Sequence, residues 1–310
     1  MVPAFVSILS DTSREKGAQL RVDAVVMALK DAPMLTGLGE HVQRVFRDHT
    51  YWSGIRRYAL RAYLDHYLSR PDDALHILEE IERGDLVDDD DELLAAVLSI
   101  VYPECLGVAA AVEYLRAPKQ RNVIGAYRMF WHYKFLDKTS SENLPLLLDA
   151  LAASSPLPND SNVDVEWDLR RGALRRGIEA WGDEVDDQRL LSWMSVLLAE
   201  HEQSHLDETT KVALVAWFNQ RPNRYVGVLH AAIEREPNQH PWAFMRCMLD
   251  LPSPSQLGAW WMDTAVSIPD DRFACEAFAY GARMRLGEYA RNDALLEQLS
   301  QRVQSHMRFS

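Results

Sequence analysis

The stretch Arg116–Phe135, RAPKQRNVIGAYRMFWHYKF, decides the fold, because a basic loop containing proline runs directly into a segment rich in aromatic residues. Pro118 blocks continuation of any preceding helix and Asn122 is a favourable N-cap residue, so we predict a helix that begins near Val123. One apolar stripe follows at positions i, i+3, i+7 and i+11, namely Ile124, Tyr127, Trp131 and Phe135. Neighbouring apolar residues widen that stripe: Val123, Met129, Phe130 and Tyr133. So broad an apolar surface is typical of a helix enclosed by two neighbouring layers.

Two positive charges precede this predicted helix, at Lys119 and Arg121. Positive charge beside a helix N-terminus opposes the macrodipole by roughly 0.3–1 kcal/mol per charge, so both residues are expected to have an anionic partner. One alternative is an internal partner, the acidic run Asp88–Glu92. The other is an external ligand or protein, and the predicted binding site then comprises Lys119, Arg121 and Arg128.

The composition limits the classes of partner. The chain has 310 residues, is 47% hydrophobic, and carries a net charge of −13 that is divided almost equally between its halves. An acidic chain without a dominant basic face is a poor candidate for electrostatic capture of nucleic acid. Its one local basic cluster has helical i, i+4 spacing and nearby carboxylates, which predicts a solvated, salt-bridged helix face: Arg170, Arg171, Arg175 and Arg176.

Cysteine usage and hydropathy indicate a reducing compartment and no membrane association. The three cysteines are far apart and odd in number, so neither a disulfide framework nor a zinc ribbon is predicted. The apolar opening at residues 2–9 lacks a basic n-region, and no apolar run reaches the roughly 18 residues of a membrane span. We therefore expect a cytoplasmic protein.

Helical periodicity repeats along the whole chain, and no run shows the alternation of a strand. Paired helices give units of about 33–42 residues, the range of helical-hairpin repeats. We predict an all-α fold, an α-solenoid of about 16–17 antiparallel helices similar to HEAT and armadillo superhelices. The predicted helix starts lie near Pro3, Arg14, Leu35, Trp52, Pro71, Asp89, Leu106, Val123, Glu142, Val163, Asp187, Asp207, Arg224, Pro241, Ser255, Asp271 and Tyr289.

The predicted domain organisation is a single array over residues 1–310, with a loop or hinge at residues 153–162. The first predicted helix, Pro3 to Leu9, is short and apolar, like half of a hairpin whose upstream neighbour is missing. Because repeat arrays need polar caps at their ends, we expect the chain to be a segment of a longer protein.

One short motif has a chemical interpretation. His201-Glu202-Gln203-Ser204-His205 matches H-E-x-x-H, in which His201 and His205 would bind zinc and Glu202 would act as general base. Polar residues surround the motif and no third histidine follows at the usual spacing, so an interhelical loop is the competing interpretation. The hypothesis of a zinc-dependent hydrolase requires stoichiometric zinc in protein purified without chelators.

Motifs for nucleotide binding and serine hydrolysis are missing from the sequence. It contains no G-x-x-x-x-G-K-[ST], no G-x-G-x-x-G and no G-x-S-x-G. We therefore predict no cofactor and no catalytic residue.

The segment Leu115–Trp131, with its P-K-Q-R-N-x-I-G-x-Y-R-x-F-W pattern, resembles part of the helical-repeat region of bacterial NACHT or STAND-type signalling NTPases. The upstream D-D-D-D-E-L-L-A and Arg56-Arg57-Tyr58-Ala59-Leu60 fit the same resemblance, which covers about residues 50–136. In such proteins an ATPase module precedes the repeats, and the repeats sense a ligand or partner and restrain oligomerisation. What the resemblance implies here is the sensing or scaffolding part alone.

The function predicted from the sequence is therefore a non-enzymatic helical-repeat scaffold or sensor. Its expected partner is another protein or an upstream domain of the same polypeptide. Two alternatives stay open at this point: the zinc-dependent hydrolase described above, and a HEAT-like protein that binds nucleic acid.

Overall fold

The structure, a computed structural model, describes residues 2–11, 13, 15–31, 34–68, 70, 72–120, 125–154, 164–198 and 206–235, with isolated residues at 248, 251, 257, 260, 297 and 301. Every regular element in these ranges is helical. The α-helices are α1 Val2–Leu9, α2 Lys16–Asp31, α3 Gly39–Arg47, α4 Ser53–His66, α5 Asp73–Arg83, α6 Glu92–Val101, α7 Val108–Val112, α8 Ala126–Met129, α9 Leu136–Lys138, α10 Leu144–Ala153, α11 Asp164–Trp181, α12 Asp187–Leu198, α13 Glu208–Gln220 and α14 Pro222–Arg235. A π-helical segment, Phe130–Phe135, joins α8 to α9, and a 3₁₀ turn, Ser141–Asn143, precedes α10.

The predicted all-α class is confirmed for the described residues. The first thirteen predicted helix starts, from Pro3 to Arg224, each lie within four residues of an observed start, the largest difference being Leu35 against Gly39. The last four predicted starts lie outside the described residues: Pro241, Ser255, Asp271 and Tyr289.

The chain divides into two compact units. The first comprises residues 1–143 and 157–169, and the second comprises residues 144–156 and 170–310. In the first unit, α2 packs on α4, α4 on α6, and α6 on α8, while α3 and α5 pack on their sequence neighbours α4 and α6. In the second unit, α12 packs on both α10 and α14. The predicted loop or hinge at residues 153–162 lies largely outside the described residues, and a single solenoid over residues 1–310 stays a prediction.

The aromatic segment singled out in the sequence forms part of the core of the first unit. Four buried residues recur at intervals of four: Tyr127, Trp131, Phe135 and Thr139. At about 100° per residue, an α-helix would rotate each of these positions by about 40° relative to the last. The π turn between α8 and α9 is wound less tightly, with i→i+5 hydrogen bonds, and so it reduces this rotation. The segment therefore keeps the four side chains on the buried side.

Two residues of the predicted apolar arc are on the wrong face of this helix. The helix begins at Ala126, with Gly125 as its N-cap, three residues after the predicted start near Val123. Val123 and the predicted cap Asn122 lie outside the described residues. Met129 and Tyr133 were assigned to the apolar arc, but 41% and 55% of their surfaces are exposed. Met129 follows the buried Tyr127 by two residues, and Tyr133 follows the buried Trp131 by two. A step of two residues turns a helix by about 200°, so both side chains lie on the opposite face.

A further correction concerns Arg170, which was predicted on a solvated helix face. Only 3% of its surface is exposed. Its guanidinium donates hydrogen bonds to the carbonyl oxygen of Leu151 and to the Ser154 hydroxyl, the latter at 3.0 Å. The carbonyls at a helix C-terminus have no partner within the helix, so Arg170 supplies donors to the end of α10. In the same unit, Arg175 donates to the Thr210 hydroxyl at 2.8 Å.

Candidate binding site

The acidic run Asp88–Glu92 starts α6, as the sequence predicted, but three of its five carboxylates are buried. Asp88, Asp91 and Glu92 each expose less than a tenth of their surface. The Asp88 carboxylate accepts the amide hydrogens of Leu93 at 3.2 Å and Leu94 at 2.8 Å. These are among the first amides of α6, which have no acceptor within the helix. Asp88 therefore caps α6 from outside the helix.

Asp91 is fully buried and joins the start of α6 to the basic loop that precedes α8. One of its carboxylate oxygens lies 2.7 Å from an Arg116 guanidinium nitrogen, and the other accepts the Lys119 amide hydrogen at 2.8 Å. The Lys119 ammonium lies 3.6 Å from the same carboxylate and donates to the Asp88 carbonyl oxygen. An internal acidic partner for Lys119 is thus confirmed.

Glu92 provides a second connection between α6 and its neighbours. Its carboxylate pairs with the Arg57 guanidinium on α4 and accepts the amide hydrogen of Ala126, the first residue of α8. Negative charge at a helix N-terminus is favourable, because the amide hydrogens there carry a partial positive charge. The unfavourable effect of nearby basic residues on α8 is therefore offset by Glu92.

These connections surround an open depression of about 250 Å³, which we call the Trp52 cleft. It is lined by aromatic, basic and acidic side chains: Trp52, Arg57, Asp90, Glu92, Tyr127 and Arg128. The Trp52 indole lies against Gly54 in the first turn of α4, where a Cβ added at that glycine would be 3.7 Å from the ring. Yet 59% of the Trp52 surface is exposed. An aromatic side chain with more than half of its surface exposed therefore stands at a cleft with mixed charge.

The sequence identified part of this cleft. Arg128 lines it, and Lys119 lies in the adjoining loop, where it is bound to Asp91. Arg121, the third predicted binding residue, lies outside the described residues. Trp52 and Arg57 were missed as site residues, because they precede Arg128 by more than 70 positions and share no periodicity with it. The one local signal was that this tryptophan lies at a predicted helix start, where a core position is not expected.

The motif that suggested zinc chemistry, His201, Glu202 and His205, lies outside the described residues. Within the part of the chain that the structure does describe, no group of three His, Cys, Asp or Glu side chains is arranged to hold a metal ion. The zinc-dependent hydrolase therefore stays a hypothesis based on the sequence.

Asp88 gives this region a predicted pH dependence. Burial raises the pKa of its carboxyl from an ordinary value of 3.8 to about 6, although the amides of Leu94 and Leu93 oppose that rise. A carboxyl whose pKa is raised on folding destabilises the folded state when ionised. Below pH 4 the Asp88 carboxyl is protonated in both states and does not lower the free energy of unfolding. As the pH rises from 4 to 6 its ionisation increasingly lowers that free energy, and above pH 6 the loss is about 3 kcal/mol.

We compare the free energy of unfolding of the wild type with that of Asp88→Asn. When the pH is lowered from about 7.5 to about 5, the difference, wild type minus variant, is expected to increase by about 1–2 kcal/mol. The measurement is urea unfolding of both proteins followed by circular dichroism. The difference between the two proteins is used because other carboxyls make the folded state less stable in acid. For example, the hydrogen bond from Arg221 lowers the pKa of Asp183, so protonation of Asp183 in acid removes a stabilising charge. A difference that is constant with pH would show that Asp88 does not titrate in this range.

The described residues are all-helical in their regular elements, and the first unit carries a depression lined by side chains of both charges. Comparisons with protein-family models, curated proteins and solved structures find no match for this chain. The resemblance to the repeat region of signalling NTPases therefore stays a prediction. Among the described helices, none combines the length and the apolar character required to cross a membrane.

Proposed function

We propose that this chain is a non-enzymatic helical-repeat scaffold or sensor that recognises another protein, or another domain of its own polypeptide, at the Trp52 cleft. The observation that carries this proposal is the exposure of Trp52 beside Arg57 and Arg128. Tryptophan, tyrosine and arginine are enriched among the few residues that supply most of the binding energy at protein interfaces. We place this activity in the cytoplasm, as the composition predicts.

Two features of the fold support recognition over chemistry. Glu92 and Arg57 both line the cleft and form an ion pair with each other, so these two side chains lose little entropy when a partner docks. The packing of α2, α4, α6 and α8 in succession also supports stacked helical hairpins, because repeats in a solenoid contact their immediate neighbours. On this proposal, the chain has the same role as the helical-repeat region of signalling NTPases, which senses a ligand or partner.

Charge reversal at Lys119 and Arg121 would test the predicted site poorly. Lys119 is bound to the buried Asp91, so Lys119→Glu would place two carboxylates together and disturb the fold itself. Trp52 is a cleaner target because most of its surface is exposed and α4 does not depend on it for a side-chain cap.

We expect Trp52→Ala to weaken binding of the protein partner by roughly thirtyfold, the effect of a 2 kcal/mol interface residue. Candidate partners are those that the wild-type chain, but not Trp52→Ala, captures from lysate of the source cells. Each candidate is then purified and its dissociation constant is measured by isothermal titration calorimetry.

Tyr133→Ala is the matched control, because Tyr133 is an aromatic residue with 55% exposure that does not line the cleft. It should bind each purified candidate as the wild type does, and circular dichroism should show both variants folded. The proposal fails if Trp52→Ala and the wild type bind every purified candidate equally.

A further inference from the structure

A second opening shares Arg57 with the Trp52 cleft and is larger than that cleft. This opening, which we call the Lys134 cavity, has a volume of about 490 Å³ and is bounded by α4, α6 and the helical segment from α8 into the π turn. Basic side chains enter it from two of these elements: Arg57 and Arg61 from α4, and Lys134 from the π turn. Met129 and Tyr58 add apolar surface.

Positive charge in this cavity exceeds the negative charge around it. Asp65 is the one carboxylate among the described residues that line the cavity, and it pairs with Arg61 at 2.7 Å. Arg57 pairs with Glu92, which does not line the cavity. The Lys134 ammonium forms no ion pair or hydrogen bond with any described residue. The described lining therefore carries three cations and one carboxylate, in a chain whose net charge is −13.

The cations are close enough to affect one another. Burial lowers the pKa of Lys134 first, and repulsion from Arg61, Lys138 and Arg57 lowers it further. Lys138 itself donates to the carbonyl oxygens of Ser99 at 2.7 Å and Tyr102 at 2.9 Å, near the end of α6, so it is held in position beside the cavity. A bound anion would relieve this mutual repulsion, which is a source of binding energy that an isolated surface lysine lacks.

We propose that the Lys134 cavity binds a small ligand that carries more than one phosphate group, with Arg57, Arg61 and Lys134 holding its oxygen atoms. Arginine presents a planar set of donors that matches the geometry of phosphate, and lysine adds a compact positive charge. The volume falls within the range of small-molecule sites, and Met129 and Tyr58 can contact an apolar part of the ligand. This proposal concerns a ligand and a surface other than those of the Trp52 cleft, so each can fail alone.

Inorganic pyrophosphate is the probe for a calorimetric titration of the full chain, with orthophosphate in a second titration and sodium chloride used to match ionic strength. We expect saturable binding of pyrophosphate to the wild type, with weaker binding of orthophosphate. Lys134→Ala should weaken pyrophosphate binding by at least roughly tenfold, because it removes a charge-assisted hydrogen bond. Arg61→Gln should weaken it similarly.

The matched control is Lys16→Ala, which removes an exposed lysine at the start of α2 that does not line the cavity. This variant should bind pyrophosphate as tightly as the wild type does. Lys134 is itself exposed, so both lysine variants should give the circular dichroism spectrum of the wild type. The proposal is overturned if pyrophosphate produces no saturable heat, if Lys134→Ala and Lys16→Ala bind equally, or if a glutamate-rich peptide saturates the cavity where pyrophosphate does not.

Discussion

Replacing Trp131 with alanine is expected to lower the free energy of unfolding by about 3–5 kcal/mol. The Trp131 ring is fully buried, and its centroid lies 5.0 Å from that of Phe130 and 4.7 Å from that of Phe135. Its removal would leave a cavity that these rigid neighbours cannot fill, and it would also remove favourable aromatic contacts. Guanidinium unfolding followed by circular dichroism at helical wavelengths measures the effect, since tryptophan fluorescence changes with the substitution itself.

Tyr133→Ala is the control for Trp131→Ala, because both residues are aromatic and both belong to the π turn. Tyr133 is more than half exposed, so its removal should change the free energy of unfolding by no more than about 0.5 kcal/mol. A loss below about 1 kcal/mol for Trp131→Ala would mean that the aromatic segment is not the packed core described above.

The second large effect is expected at Asp91. Replacing it with alanine should lower the free energy of unfolding by about 3 kcal/mol, because a fully buried carboxylate loses its contacts with Arg116 and the Lys119 amide. The two cations are almost half exposed and can be hydrated again, which keeps the loss at the lower end of the range for a broken buried pair. Alanine also tolerates the backbone of residue 91, with φ of 63°, less well than aspartate does.

Two further variants separate these contributions to the Asp91 effect. Asp91→Asn retains the tolerance for positive φ and one acceptor oxygen but removes the charge, so its loss should be intermediate. Asp89→Ala removes an exposed carboxylate from the same acidic run and should cost no more than about 0.5 kcal/mol in the same chemical denaturation. Equal losses for Asp91→Ala and Asp89→Ala would contradict the role assigned to the buried carboxylate.

Helix positions could be predicted from the sequence because their boundaries have local causes. Prolines, glycines and acidic residues at the starts mark most boundaries within one or two turns, as Asp187 and Glu208 illustrate. Asp207, for example, accepts the Thr210 amide hydrogen at 2.8 Å and caps α13 as its residue type indicates. Such signals involve residues within one turn of each other.

The π turn could not be predicted in the same way. Tyr127, Trp131 and Phe135 fit a stripe of spacing four almost as well as one of spacing 3.6, and only the neighbouring helices decide which side chains are buried. Arg170 shows the same limit: its charge favours a solvated position, but the carbonyls at the end of α10 make a buried one favourable. Both outcomes depend on tertiary contacts.

The candidate site was partly predictable for a related reason. The argument from the helix dipole anticipated an anion near Lys119, and Asp91 is that anion. The Trp52 cleft depends instead on contacts between α4, α6 and α8, such as that of Arg57 with Glu92, which are 35 positions apart in the chain. No local pattern in the sequence specifies such a contact.

Arg57 and Gly125 line both the Trp52 cleft and the Lys134 cavity, so the two openings share the Arg57 guanidinium. An anion in the cavity would compete with Glu92 for that group, and Glu92 also holds the first amide of α8. With both proposed ligands present, their affinities become thermodynamically linked. If the phosphate compound changes the affinity of the chain for the protein partner by some factor, the partner must change its affinity for the phosphate compound by the same factor.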